Sequence, residues 1–142
     1  MMYLAIILGL SLLTLLFVGY LIRYVMKKDT GDAKMQEIAA AIKEGANAFL
    51  KRQYKTIGII AVVITLGIFS IYFFTGNMDL GLKTAVAFIL GASCSAFAGY
   101  VGMWVSIRAN IRTASASTRS ISEALKVSLY GGTISGLIIV TM

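Results

Sequence analysis

The sequence has no histidine, one cysteine and little charge: thirteen basic and six acidic residues among 142. Without histidine or clustered cysteines, the usual zinc and haem ligand sets are excluded. The lone Cys94 rules out an intramolecular disulfide. No P-loop pattern occurs, and no carboxylate cluster stands ready to hold a metal on its own. Charged residues make up 13% of the chain, about half the usual share of about 25%. The long apolar runs contain no Asp, Glu, Lys or Arg. Each such residue costs about 2.5–3.5 kcal/mol at mid-bilayer and commonly marks an ion path. The residues by themselves therefore name no catalytic, cofactor-binding or metal-ligating position, and they read as scaffold.

Apolar residues are abundant instead, at 58% of the chain with a mean hydropathy of +0.86. Soluble domains average about 45–50%, and a soluble fold of this size has too little polar surface to cover the excess. The chain is a membrane protein or a piece of one. Its basic residues flank greasy segments, which points to lipid and not to nucleic acid as the partner.

Three runs are long enough to cross a bilayer as helices, which takes about 20 residues. They are residues 3–22 (YLAIILGLSLLTLLFVGYLI), 56–74 (TIGIIAVVITLGIFSIYFF) and 84–107 (TAVAFILGASCSAFAGYVGMWVSI). The first follows Met1 without a basic n-region or a cleavage site, as a retained signal anchor does. A fourth run, 127–142, is too short to span comfortably and ends without a polar flank. The expectation is an all-α, polytopic transmembrane bundle of three complete spans plus the start of a fourth. Residues 1–142 are then the N-terminal fragment of one transmembrane domain.

Orientation follows from lysine and arginine in the short connections. Residues 23–55 carry eight, residues 108–126 carry four, and the connection between the second and third runs carries only Lys83. Twelve against one places the N-terminus outside and loops 23–55 and 108–126 in the cytoplasm of a multi-pass cell-membrane protein.

Within residues 33–55, Met35, Ile38, Ala39, Ile42, Ala46, Phe49 and Leu50 recur at helical spacing. Lys34, Glu37, Lys43, Glu44, Asn47 and Lys51 take the opposite face, and Asp32 is an N-cap after the breaker Gly31. This predicts a cytoplasmic amphipathic helix lying on headgroups or packing on neighbouring spans. Residues 109–126 contain no Gly or Pro. A weak stripe of Ile111, Ala114, Ile121 and Leu125 predicts that the third span runs on into the cytoplasm.

The third run also sets small residues in register: Gly91, Ser95 and Gly99, with Ala98 and Gly102 on an adjoining face. The fourth has Gly132 and Gly136. Such rows let helices approach closely where lipid offers no hydrophobic drive. Arg108 and Arg112, one helical step apart, are expected at the headgroup level four residues beyond the interfacial Trp104. Arg108, Arg112, Gly99 and Gly102 are thus candidate structural residues.

Three separated segments resemble one family. MQEIAAAIKEGANAFLKRQYKTI (35–57), GYVGMWVSIRANIRTASAS (99–117) and ALKVSLYGGTISGL (124–137) are similar in order and spacing to the N-terminal part of membrane-bound, ion-translocating pyrophosphatases. The resemblance implies a homodimer whose subunits have about sixteen helices in two rings, this chain supplying part of the outer ring. It implies an enzyme that couples hydrolysis of pyrophosphate to outward transport of H+ or Na+. It implies Mg2+, with K+ as a second ion in some members. The family's aspartate-rich motifs lie on later helices, so the catalytic and metal-binding residues, and the determinants of the pumped ion, fall beyond Met142. The fragment alone is expected to be inactive. The competing reading is a small stand-alone membrane interaction or lipid-binding subunit, its basic loops on anionic lipid.

Overall fold

The computed structural model describes residues 2–142. Four helices follow one another: α1 (Met2–Met26), α2 (Ala33–Phe74), α3 (Met78–Ser117) and α4 (Ile121–Thr141). No strand occurs among the described residues. All four helices are long and apolar enough to cross a membrane.

Residues 33–55 and the second apolar run form one helix of 42 residues, about 63 Å long at 1.5 Å per residue. This corrects the expectation of a separate interfacial helix. Nothing between Phe49 and Thr56 (FLKRQYKT) interrupts the backbone ladder, because Leu, Lys, Arg and Gln are good helix formers. The expected start is correct. Asp32 Oδ1 accepts a hydrogen bond from the Met35 N–H at 2.8 Å, and Gly31 takes a positive φ of 76° just before it. Gln36 reaches back to donate to the Gly31 carbonyl at 3.0 Å, which ties the first turn of α2 to the residue before its cap.

The third run also continues past Ile107, to Ser117. The helix stops there, so Ile121 and Leu125 belong to α4 and the predicted stripe is divided by a turn. Ser117 and Thr118 hydroxyls donate to the carbonyls of Ala114 and Ser115, 2.8 and 2.7 Å away. They satisfy carbonyls that the helix end leaves unpaired. The fourth helix begins six residues before Val127 and reaches 21 residues, a full crossing length in place of the short run expected.

The chain divides into two compact units. The larger combines the residues up to Ala46 with Ala98–Met142. Its core is built from Val18, Leu21 and Val25 of α1, Val105 and Ala109 of α3, and Val127 and Ile134 of α4. Tyr24 and Tyr130 meet edge to face across α1 and α4, with ring centroids 5.2 Å apart.

The smaller unit, Asn47–Phe97, is a hairpin of the outer parts of α2 and α3. Gly76, at φ 73°, turns the chain, and Gly81 lies so close to Tyr72 that a Cβ there meets the Tyr72 Cβ at 2.5 Å. The Tyr54 hydroxyl donates to the Ala96 carbonyl at 2.7 Å. Ile59, Val63, Leu66 and Phe74 of this hairpin are exposed, as expected for side chains that face lipid or other helices.

Candidate functional site

Polar side chains converge where α1 ends, α3 ends and α4 begins. Arg112 of α3 donates through Nη1 to the Arg108 carbonyl at 2.7 Å and through Nη2 to the Met26 carbonyl at 3.2 Å. Its Nε is buried without a hydrogen-bond partner. Beyond Met26 the chain turns, and Asp29 Oδ2 accepts from the Ser115 hydroxyl at 2.8 Å and from Arg119 Nη1 at 3.0 Å. Arg119 also pairs through Nε with Glu123 at 3.5 Å, and Glu123 pairs with Lys28 at 3.1 Å. Lys28 lies 5.1 Å from the centroid of the Tyr24 ring. Two carboxylates and two cations thus alternate across three elements.

The electrostatics follow from these partners. The hydrogen bond from Ser115, then that from Arg119, holds the Asp29 carboxyl below its ordinary range. The Glu123 carboxylate raises Lys28, and Asp29 raises Arg119. Each carboxylate is occupied by a cation, so the arrangement binds helices together and offers no free base. No group of three or more His, Cys, Asp or Glu able to hold a metal occurs among the described residues.

The two arginines singled out by sequence have different surroundings. Arg112 joins α3 to α1. Arg108 stays on its own helix, its Nη1 donating to the Trp104 carbonyl at 3.1 Å and its guanidinium carbon 3.8 Å from the Trp104 ring centroid. The glycines divide as well. Gly102 is buried where α3 crosses α4, and a Cβ there lies 3.5 Å from Ser135 Oγ. Gly99 is exposed. On α4, Gly131 makes the close approach, with a Cβ position 3.0 Å from the Ala109 Cβ. Gly132 and Gly136 have nothing within 4 Å.

Asp29, Ser115, Glu123 and Lys28 were not legible as a site. The four-residue step from Arg119 to Glu123 was a readable signal. The partners 86 to 95 residues away were not, because a charge run after an apolar segment looks the same whether it is solvated or paired.

Four helices of membrane-crossing length, with the segment after α1, the end of α3 and the start of α4 tied by this ion network, define a polytopic helical membrane protein. The family described as inorganic H+ pyrophosphatase matches residues 12–142, and the chain belongs to that family. It is 44% identical over 130 residues to the K(+)-insensitive pyrophosphate-energized proton pump of Methanosarcina mazei, covering 92% of this chain and 18% of that protein. It is 42% identical over 134 residues to pyrophosphate-energized membrane proton pump 3 of Arabidopsis thaliana, covering 87% and 17%. It is also 40% identical over 127 residues to a Clostridium tetani protein provisionally named a K(+)-stimulated pyrophosphate-energized sodium pump, covering 89% and 18%. The chain therefore spans less than a fifth of the length of these curated relatives.

Proposed function

We propose that this chain is part of a pump that couples hydrolysis of pyrophosphate to outward movement of H+ or Na+, and that it supplies scaffold to that pump. The family match over residues 12–142 carries the reading. The relatives' names supply the substrate and both ions. Hydrolysis uses Mg2+ and carboxylates contributed by the rest of the polypeptide, since the two carboxylates that meet between the helices here are already paired. Potassium is a second ion for some members only, as the relatives include both K(+)-insensitive and K(+)-stimulated pumps. The working unit is a homodimer in lipid. The N-terminus lies outside and residues 23–55 and 108–126 lie in the cytoplasm, as the lysine and arginine asymmetry favours. Arg112 and Gly102 hold α1, α3 and α4 in place. Gly99 offers its small face to a neighbour, and Arg108 stands where the apolar run ends.

A chimera tests the reading. Residues 12–142 replace the matching segment of the Methanosarcina mazei pump, and membrane vesicles are assayed for pyrophosphate hydrolysis and ion uptake. Retained, magnesium-dependent hydrolysis coupled to uptake is expected. A folded chimera that hydrolyses nothing overturns the assignment.

A further inference from the structure

A cleft of about 230 Å³ opens between the first turns of α2 and the C-terminal half of α3, lined by Thr30, Gln36, Ala40, Lys43, Arg108 and Ile111 among others. Two of these side chains are cations and none is a carboxylate. The ion pairs among the described residues join Lys28, Lys83 and Arg119 to acidic partners; Lys43 and Arg108 take part in none of them. Two like charges borne by residues of one cleft repel, and an anion bound there offsets that cost.

Two of the lining residues have donors to spare. Stacking on Trp104 and the Nη1 bond to its carbonyl fix the Arg108 guanidinium, leaving most of its five N–H donors unused. Gln36 Nε2 donates to Thr30 Oγ1 at 3.3 Å, so the Thr30 hydroxyl hydrogen stays available to the cleft. A planar guanidinium matches two oxygens of one phosphate, and an ammonium adds a point charge without fixed geometry. A carboxylate offers only two oxygens and a single charge to the same three donors.

We infer that Arg108, Lys43 and Thr30 form a binding site for a phosphate group, a property separate from the proposed pump reaction. Arg112 grips the Met26 carbonyl, so Arg108, one turn earlier on α3, lies level with the end of the first apolar run. That level is within reach of a lipid headgroup and of phosphate in the adjoining water. The two sources present the same chemistry to the cleft.

The test uses the whole pump that contains this segment, purified in neutral detergent free of phosphate. Thermal unfolding is followed in two titrations, one with inorganic phosphate and one with phosphatidylglycerol added to phosphatidylcholine vesicles holding the protein. At least one ligand should raise the midpoint saturably. Arg108→Gln with Lys43→Gln should abolish that gain. Lys43→Gln alone, a change at an exposed position, should weaken half-saturation about tenfold. Lys34→Gln, equal in charge but outside the cleft, should leave it unchanged. A response to phosphatidylglycerol only assigns the phosphate to lipid, and a response to inorganic phosphate that the paired Arg108 and Lys43 changes remove assigns it to solution and not to the pump's own pyrophosphate site; either supports the cleft. Three results overturn it: no response to either ligand that the paired Arg108 and Lys43 changes remove, a response equally weakened by Lys34→Gln, or a loss of stability in Lys43→Gln without any phosphate present. The last shows that Lys43 pairs with a carboxylate elsewhere in the protein.

Discussion

Arg112, near the end of α3, donates to the carbonyl of Met26, the last residue of α1, across 3.2 Å. A helix leaves its final carbonyls without backbone partners, and the negative end of its dipole favours a cation there. One side chain thus answers both needs of α1 and fixes its end against α3. Arg112→Ala should lower the thermal stability of the whole pump, by about 1.5–3 kcal/mol if the bond counts as charge-assisted. The KM for pyrophosphate of the surviving protein should stay near that of the parent. Kinetics and melting on the same preparation check this. A large rise in KM with normal melting means that this face meets substrate.

Asp29 links the α1–α2 connection to α3 and the following turn through Ser115 and Arg119. Its carboxyl is held below its ordinary value, first by the Ser115 hydrogen bond and then by Arg119. The sign follows directly. A depressed folded value contributes stability that is present above the unfolded value of about 3.9 and is lost as pH falls through the folded value. Asp29→Asn should therefore be less stable than the parent at neutral pH, and the difference should shrink as the medium is acidified below about pH 4. Melting midpoints across an acid series measure it. A difference that does not change with pH removes Asp29 from the account.

Small residues matter here by position, not by count. Gly131→Leu places a branched side chain where a Cβ already lies 3.0 Å from Ala109, and Gly102→Leu intrudes on Ser135. Each should cost about 1–3 kcal/mol by overpacking, while Gly132→Ala, with nothing within 4 Å, should be mild. Gly99 is exposed. Gly99→Leu in the whole pump therefore asks whether a helix from elsewhere in the protein uses that face. Folded yield and melting should fall if it does, and parental behaviour removes the packing role assigned to its row.

The helices were largely legible because apolar runs of membrane length and a strong cap at Asp32 are local signals. Their junctions were not. Phe49 to Thr56 changes from amphipathic to wholly apolar, which looks like a boundary in composition, yet the backbone ladder needs only good helix formers and continues through α2. The end of α3 was missed for the opposite reason. Ala114 and Ile121 keep helical spacing across a turn whose signal is only Ser117, Thr118 and Ser120. For the glycines, the period identified the device, but neighbouring rows on one helix differ by a fraction of a turn. Only the packed structure separates Gly131 from Gly132. The network of Asp29 and Glu123 depends on α1, α3 and α4 being brought together, and no spacing in the sequence encodes that.

The orientation of the chain is predicted by where its cations lie. Lysines and arginines are retained on the cytoplasmic side of short connections, and residues 23–55 and 108–126 hold all of them except Lys83. Two exposed positions lie on opposite sides of this prediction. Asn77 sits in the turn between α2 and α3, and Ser117 sits at the end of α3. The sole native thiol, Cys94, is free and partly accessible, so it is first removed as Cys94→Ser. Asn77→Cys and Ser117→Cys are then introduced singly and treated in intact cells with a thiol reagent that does not cross the membrane. Asn77→Cys should react in intact cells. Ser117→Cys should react only after the membrane is opened, because Arg112 of α3 and Arg119 of the following turn flank it on the basic side. Labelling in the opposite order places the N-terminus inside and reverses the proposed direction of every helix. Labelling of both positions from outside means that α3 does not cross the membrane in the whole protein, even though its length and composition permit it.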